Sequence, residues 1–371
     1  MCGDIERILD VSHLTDEEVT RFYLYTPFQE IIFILLFSMV TAFGLFGNVS
    51  FLIAVLCYKQ MRTLTNVYLV NLAVADLIFI INNEAAHEFL SYISSHGVNI
   101  GIIFKTEEAY LAKSIINYVT YMTSIVTIVL VSFERFMGVC HPLRYRVVRS
   151  TKQTLILVAL SWLFALTFAL INVFTWNVFI SKLCVVWPLR DKYKSLPNVF
   201  HVIQSFTLKF FSSRAGTVLF ITALILNTYF YTRIIQRLWR RTATRDDQRR
   251  RYIRTQRRVL RMLVVNAIVF FFCLAPEMIL DSIDESYPGN FKSTTWASVF
   301  TFSALTTLFN SAANPYIYNA TNEEYRKILY QMFTECWKRC KLVRQRDNTT
   351  SGDRQRHEEI EMTAQNRTNR S

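Results

Sequence analysis

Asn310-Ser311-Ala312-Ala313-Asn314-Pro315-Tyr316-Ile317-Tyr318 closes an apolar run that begins near Trp296. The run is long enough to cross a bilayer, which takes about 20 residues. Yet its end carries two asparagines, a serine and a proline. In lipid every unpaired polar group is costly, and Pro315 frees a backbone carbonyl as well. Such residues survive where they face protein, water or an ion. Taken alone they support two readings: polar glue between helices, or a functional site inside the membrane.

The rest of the chain repeats the pattern. Of its 371 residues, 52% are hydrophobic, and the mean hydropathy is +0.23. Seven apolar runs have spanning length, at Ile31–Cys57, Asn66–Tyr92, Tyr110–Cys140, Thr154–Phe179, Val202–Leu238, Leu260–Ile283 and Trp296–Tyr318. An all-α membrane protein, a seven-helix bundle, is therefore expected. The net charge of +13 sits in loops between the runs and not in one nucleic-acid-binding patch. Lys59, Arg62, Arg144, Arg146, the arginines of 237–261 and Arg326–Arg346 all fall on one side, the expected cytoplasm. The opposite loops carry Glu84, Glu88, Glu107, Glu108, Asp281 and Asp284, so the N-terminus is expected outside. Residues 1–30 read as an extracellular segment with no cleavable leader. After the bundle, Thr321–Trp337 reads as an amphipathic membrane-surface helix. Cys336 and Cys340 follow it as lipidation candidates or free thiols, and 341–371 reads as a disordered tail.

Polar residues recur at matched depth. Asn48 lies in the first span, Asp76 in the second, Ser124 in the third, and Asn310, Ser311 and Asn314 in the seventh. Asp76 is the expensive one, an ionisable group in an apolar run. Either a cation beside these oxygens compensates its charge, with sodium the fitting ion, or a neutral Asp76 bonds to Asn48 and Asn314. At the end of the third span, Glu134-Arg135-Phe136 sets opposite charges side by side. A proline then breaks the chain and leaves Leu143 exposed among basic residues.

These motifs resemble the rhodopsin-like (class A) G-protein-coupled receptors over about Phe43–Trp337. Gly47-Asn48, Asn71-Leu-Ala-Val-Ala-Asp76, Glu134-Arg135-Phe136, Ser161-Trp162, the Phe270–Pro276 stretch with Cys273, and Asn314-Pro315-Tyr316-Ile317-Tyr318 follow the family's order and depth. The resemblance is loosely to peptide receptors. It implies that Asp76, Ser124, Asn310, Ser311 and Asn314 hold a sodium ion. It implies a coupling machinery of Glu134, Arg135, Leu143, Tyr231, Phe270, Pro276, Pro315 and Tyr318, with a heterotrimeric G protein as partner. Leu274 stands where the family has a sixth-helix tryptophan, and Tyr110 where it has a disulfide cysteine. Leu308 excludes a retinal Schiff base, and Asn117 the usual amine-binding aspartate.

The outer half of the bundle reads as a ligand pocket of Asn117, Tyr118, Tyr121, Glu277 and Asp281, with Trp176, Trp187 and Phe206 also expected there. Glu277 and Asp281 lie four apart on one helix face, either as partners for a basic peptide or as solvated helix-end acids. On the outer side only Cys2 and Cys184 are left to pair, and more than twenty flexible residues separate Cys2 from the first span. A Cys2–Cys184 disulfide is one outcome and a free Cys184 the other. The competing functional readings are a scaffold on the receptor fold with lost signalling, and a transporter. No nucleophile–base or metal-ligand set points to an enzyme.

Overall fold

The computed structural model describes residues 7–25, 30–82, 93, 97, 98, 104–148, 150–174, 176–207, 209–240, 247–286 and 294–334. The long helices are α2 (Ser38–Cys57), entered through a π-helical turn at Ile32–Phe37, α3 (Leu64–Asn82), α4 (Glu107–Cys140), α6 (Thr151–Phe174), α7 (Lys209–Arg240), α8 (Asp247–Ser286) and α9 (Thr294–Thr321). The short α5 (Pro142–Val148) follows α4. Among the described residues six helices are long and apolar enough to cross a membrane, from Leu35–Cys57 to Arg254–Ile283. Helix α9 packs against α8, α2 and α3 and completes the bundle, while α4 contacts α3, α6, α7 and α8 and forms its axis.

Close approach explains the Gly47-Asn48 pair. A Cβ at Gly44 would meet Ile80 Cδ1 at 2.7 Å, and one at Gly47 would meet the Tyr316 ring at 2.9 Å. Side chains there would push α2 away from α3 and α9. Tyr316 uses the approach to donate its hydroxyl to the Phe43 carbonyl at 2.9 Å.

Two expected spans are shorter than the apolar runs. The fourth helix ends at Phe174, and Trp176–Val186 is strand β2. The fifth begins at Lys209, after strand β3 (Val199–Thr207). These β-branched and aromatic stretches pair antiparallel with each other, from Trp176 opposite Thr207 to Cys184 opposite Val199. Pairing satisfies their backbone without a helix.

The N-terminal segment is ordered and not flexible over 7–25. Strand β1 (Arg7–Asp10) adds parallel to β2, placing Ile8 opposite Cys184. Helix α1 (Asp16–Tyr23) starts in a capping box: Glu18 N–H donates to Thr15 Oγ1 at 3.3 Å, and Thr15 N–H donates to Glu18 Oε2 at 2.9 Å. Its three first-turn acids suit the positive helix end. The chain then runs along a second loop, where Tyr25 N–H donates to the Gly97 carbonyl at 3.1 Å. Val11, Val19, Val98, Val185, Trp187, Tyr193 and Phe200 form a common apolar core beneath this cap.

Trp187 thus belongs to the cap and not to a ligand pocket. It stacks on Tyr193 at 6.2 Å and donates Nε1–H to the Pro197 carbonyl. Tyr193 in turn donates to Asp16 Oδ1 at 2.7 Å, and Arg190 pairs with the same carboxylate. The Tyr193 hydroxyl and then Arg190 hold Asp16 below its ordinary 3.8. A lowered folded-state value makes this clasp complete at neutral pH, and it is lost only as pH falls below 3.8 through the lowered value. Replacing Trp187 by Ala is expected to remove about 3–5 kcal/mol of cap packing. Hydrogen exchange at the α1 amides should rise sharply, and unchanged exchange would show that this core does not hold the cap.

Beyond Asn322 the chain forms a separate unit, with a helix over 323–334. Tyr325 and Ile328 are buried, while Glu323, Glu324, Arg326, Lys327 and Phe333 are exposed. Cys336, Cys340 and the tail lie outside the described residues.

Candidate functional site

The mid-bundle residues converge from several helices. Asp76 is fully buried. Asn314 Nδ2 of α9 donates to its Oδ2 at 2.6 Å. Asn48 does not bond to Asp76: its amide donates to the Gly44 carbonyl at 2.9 Å and the Ser311 carbonyl at 3.1 Å. Asn48 therefore clamps α2 to α9 instead of neutralising the carboxyl. Asp76 Oδ1, Asn48 Oδ1 and Asn310 Oδ1 are buried oxygens without a hydrogen-bond partner among the described residues. Burying an unpaired acceptor costs roughly 1–3 kcal/mol, so each of these oxygens is a destabilised group until a donor or an ion meets it. Ser124 Oγ donates to the Thr120 carbonyl of its own helix at 3.0 Å, leaving its lone pairs as acceptors.

Below this layer α3 is tied to its neighbours by a polar relay. Trp162 Nε1–H donates to Asn71 Oδ1, and Asn71 Nδ2 donates to Thr127 Oγ1, both at 2.7 Å. The relay gives Asn71 and Trp162 a structural use that joins α3, α4 and α6.

At the far end of α4, Arg135 Nε lies 3.1 Å from Glu134 Oε2. The contact is ionic, since Nε has no acceptor in hydrogen-bond geometry. Glu134 also accepts from Thr65 of α3 at 3.2 Å and from Tyr145 of α5. Helix α4 stops at Cys140, and Pro142 occupies the first position of α5, where its missing N–H costs nothing. Leu143 is left 78% exposed. Tyr231 sits 2.6 Å from Ser132 Oγ and reaches the Leu263 carbonyl at 3.4 Å, bridging α7 to α4 and α8. Tyr318 is buried against Phe51 of α2, with ring centroids 5.5 Å apart. The two tyrosines thus engage different helices. Phe270 is buried edge-on to Phe271, while Pro276 and Pro315 lie inside α8 and α9.

The mouth beside the cap holds the remaining residues. Asn117 Oδ1 accepts from Asn82 Nδ2 at 2.8 Å. Tyr121 directs its hydroxyl at Met278 Sδ, 3.2 Å away on α8. Glu277 is half-buried and accepts from Thr307 of α9. Asp281, one turn further, is exposed, and Tyr118 is half-buried. Lys113 is buried with its ammonium 5.9 Å from the Tyr110 ring. Sequence reasoning missed Thr307, Asn82 and Lys113. For Thr307 a signal existed, since it lies three, four and seven residues before Asn310, Ser311 and Asn314 and shares their face.

Cys184 is disulfide-bonded. Cys57, Cys140 and Cys273 form no disulfide among the described residues, and Cys2 lies outside them. Of Trp176 and Phe206 the structure describes only the backbone, paired as β2 and β3.

This arrangement of helices and buried polar groups has a close counterpart among known families. Residues 47–318 match the model described as 7 transmembrane receptor (rhodopsin family). The chain belongs to this receptor family. It is similar to the neuromedin U receptor homolog nmur-2 of Caenorhabditis elegans, 28% identical over 321 residues that cover 79% of this chain and 77% of the relative. It also resembles the pyroglutamylated RF-amide peptide receptor of Rattus norvegicus, 24% identical over 347 residues, 86% of this chain and 76% of that one. The somatostatin receptor type 5 of Bos taurus is 26% identical over 301 residues, 79% and 73% of the two chains. The receptor is a multi-pass membrane protein. Its departures from the family motifs are accommodated by packing: Leu274 is fully buried, and Tyr110 stacks edge-on to Phe104 at 5.8 Å.

Proposed function

We propose that this receptor sits in the plasma membrane with its N-terminus outside, binds a basic peptide at the capped mouth and activates a heterotrimeric G protein at the Arg135 end. The observation that carries the ligand class is the acid pair on α8. Glu277 is held by Thr307 beside the Tyr121–Met278 contact, and Asp281 extends toward solvent one turn above. A positively charged peptide side chain enters past Asp281 and exchanges water for Glu277. The peptide-receptor relatives support the same class.

The test is a nucleotide-exchange reporter challenged with a library of short amidated and free-acid peptides, basic and neutral. Basic members should activate. Glu277→Gln should weaken them by about 30-fold, the worth of one charge-assisted hydrogen bond. Activation by neutral peptides alone, indifferent to Glu277, would overturn the ligand assignment. Orientation is read separately: a tag at the N-terminus should stain intact cells and one after Ser371 should not. Reversed staining would place the acid pair on the wrong side of the membrane.

We further propose that Asp76, Ser124, Asn310, Ser311 and Asn314 hold a sodium ion. The unused oxygens on Asp76 and Asn310 support it, and the ion would supply the charge that a buried carboxylate lacks. We also assign Cys2 as the disulfide partner of Cys184. The support is that β1 runs alongside Cys184 only six residues after Cys2.

A further inference from the structure

A cavity of about 320 Å³ opens between the ends of α4 and α7. Phe136, Cys140 and His141 line it from α4 and its cap, and Arg233, Gln236 and Arg237 from α7. Its inner wall is aromatic: Phe136 packs on Tyr229 at 6.0 Å, on Phe230 at 5.2 Å and on the His141 ring at 5.3 Å. Its rim is basic, with no carboxylate among the lining residues. Neither Arg233 nor Arg237 makes an ion pair among the described residues.

The direction of the arginines narrows the occupant. Tyr231 points into the bundle toward Ser132. Arg233 and Arg237 follow it by two and six residues, or ~200° and ~240° around a helix of 3.6 residues per turn. They lie on the face of Tyr229, four residues before Arg233, which is 52% exposed. That is the exposed side of α7, the side a membrane-spanning helix turns to lipid. Trp239, 76% exposed and two residues beyond Arg237, is the residue type that settles at the headgroup level. Two guanidiniums therefore stand at this end of α7, turned away from the bundle interior that Tyr231 faces. Guanidinium forks match phosphate oxygens bidentately. The volume equals roughly ten waters at ~30 Å³ each, room for a ring-bearing headgroup and more than a lone phosphate needs.

We propose that this cavity binds the phosphorylated headgroup of a polyphosphoinositide. The proposal rests on the orientation given above, which puts this end in the cytoplasmic leaflet, where basic pockets between helices meet such lipids. Arg233 and Arg237 grip the phosphates, and Gln236 and His141 contact the ring. Because one wall belongs to α4 beside Arg135 and the other to α7, a bound headgroup holds the ends of these two helices together.

The experiment uses the full-length receptor in phosphatidylcholine nanodiscs, which present lipid to both faces, so a wrong orientation does not disguise the result. Binding of phosphatidylinositol 4,5-bisphosphate is measured by native mass spectrometry against phosphatidylserine, soluble inositol trisphosphate and inorganic phosphate. Wild type should prefer the bisphosphate lipid over phosphatidylserine. Arg233→Gln with Arg237→Gln should weaken retention by about 25-fold, near fivefold for each basic residue at the surface. Arg326→Gln with Lys327→Gln, in the exposed face of the 323–334 helix, should leave it unchanged, and melting temperatures should confirm folding of both variants. Equal loss in the two double variants would reduce the effect to general surface charge. Equal retention of phosphatidylserine, or full competition by inorganic phosphate, would remove the polyphosphoinositide. Unchanged lipid retention with lost G-protein activation would assign the arginines to a protein contact.

Discussion

Replacing Arg135 by Ala is expected to abolish receptor-catalysed nucleotide exchange while surface expression and ligand binding persist. Among the described residues Arg135 is held by one ionic contact, to Glu134 at 3.1 Å, so its loss removes little that the fold depends on. Glu134 keeps Thr65 and Tyr145 as donors. What disappears is the guanidinium at the mouth of the cavity that an activating shift of α8 would open. Truncating one side of a desolvated charged contact costs about 2–5 kcal/mol, so exchange should fall by roughly 100-fold or more. The measurement is GTPγS uptake by purified G protein, normalised to receptor number. Normal uptake would transfer the chain to the scaffold reading, in which buried Leu274 in place of an indole has disabled the switch.

Asp76→Asn is expected to erase the effect of sodium on both affinity and stability. The substitution keeps a side chain able to pair with Asn314 and removes the charge that attracts an ion. In wild type, exchanging choline for sodium should weaken agonist binding by a factor typical of coupled sites, about 5–150-fold, and raise the melting temperature of the empty receptor. The stability arm needs no signalling, so it separates ion binding from coupling. Sodium sensitivity retained by the variant would leave Asp76 as a neutral carboxyl hydrogen-bonded to Asn314.

The number of spans and the sites of the mid-membrane motifs were legible in the sequence because both follow from local rules. A bilayer demands about 20 apolar residues per helix, and a polar side chain in such a run must have a purpose. Asp76, Asn314 and Arg135 could be singled out on that ground alone. Where helices give way to strands was not legible. Trp176–Phe179 and Val202–Thr207 continue the apolar runs without a break, and only the mutual pairing of β2 and β3, with β1 added to the edge, makes them a sheet. For the same reason the N-terminal segment looked flexible: its order comes from Val11 and Val19 meeting Trp187 and Tyr193, residues that lie some 170 positions away in the chain. Direction was likewise decided by the tertiary structure. Composition placed Asn48 and Asn314 at one depth, but packing turned only Asn314 to Asp76. Arg233 and Tyr231 are two residues apart, and helix geometry sends one to the exposed face and the other to the core. Residue type sets what each side chain needs, and the neighbours supplied by folding determine which partner meets that need.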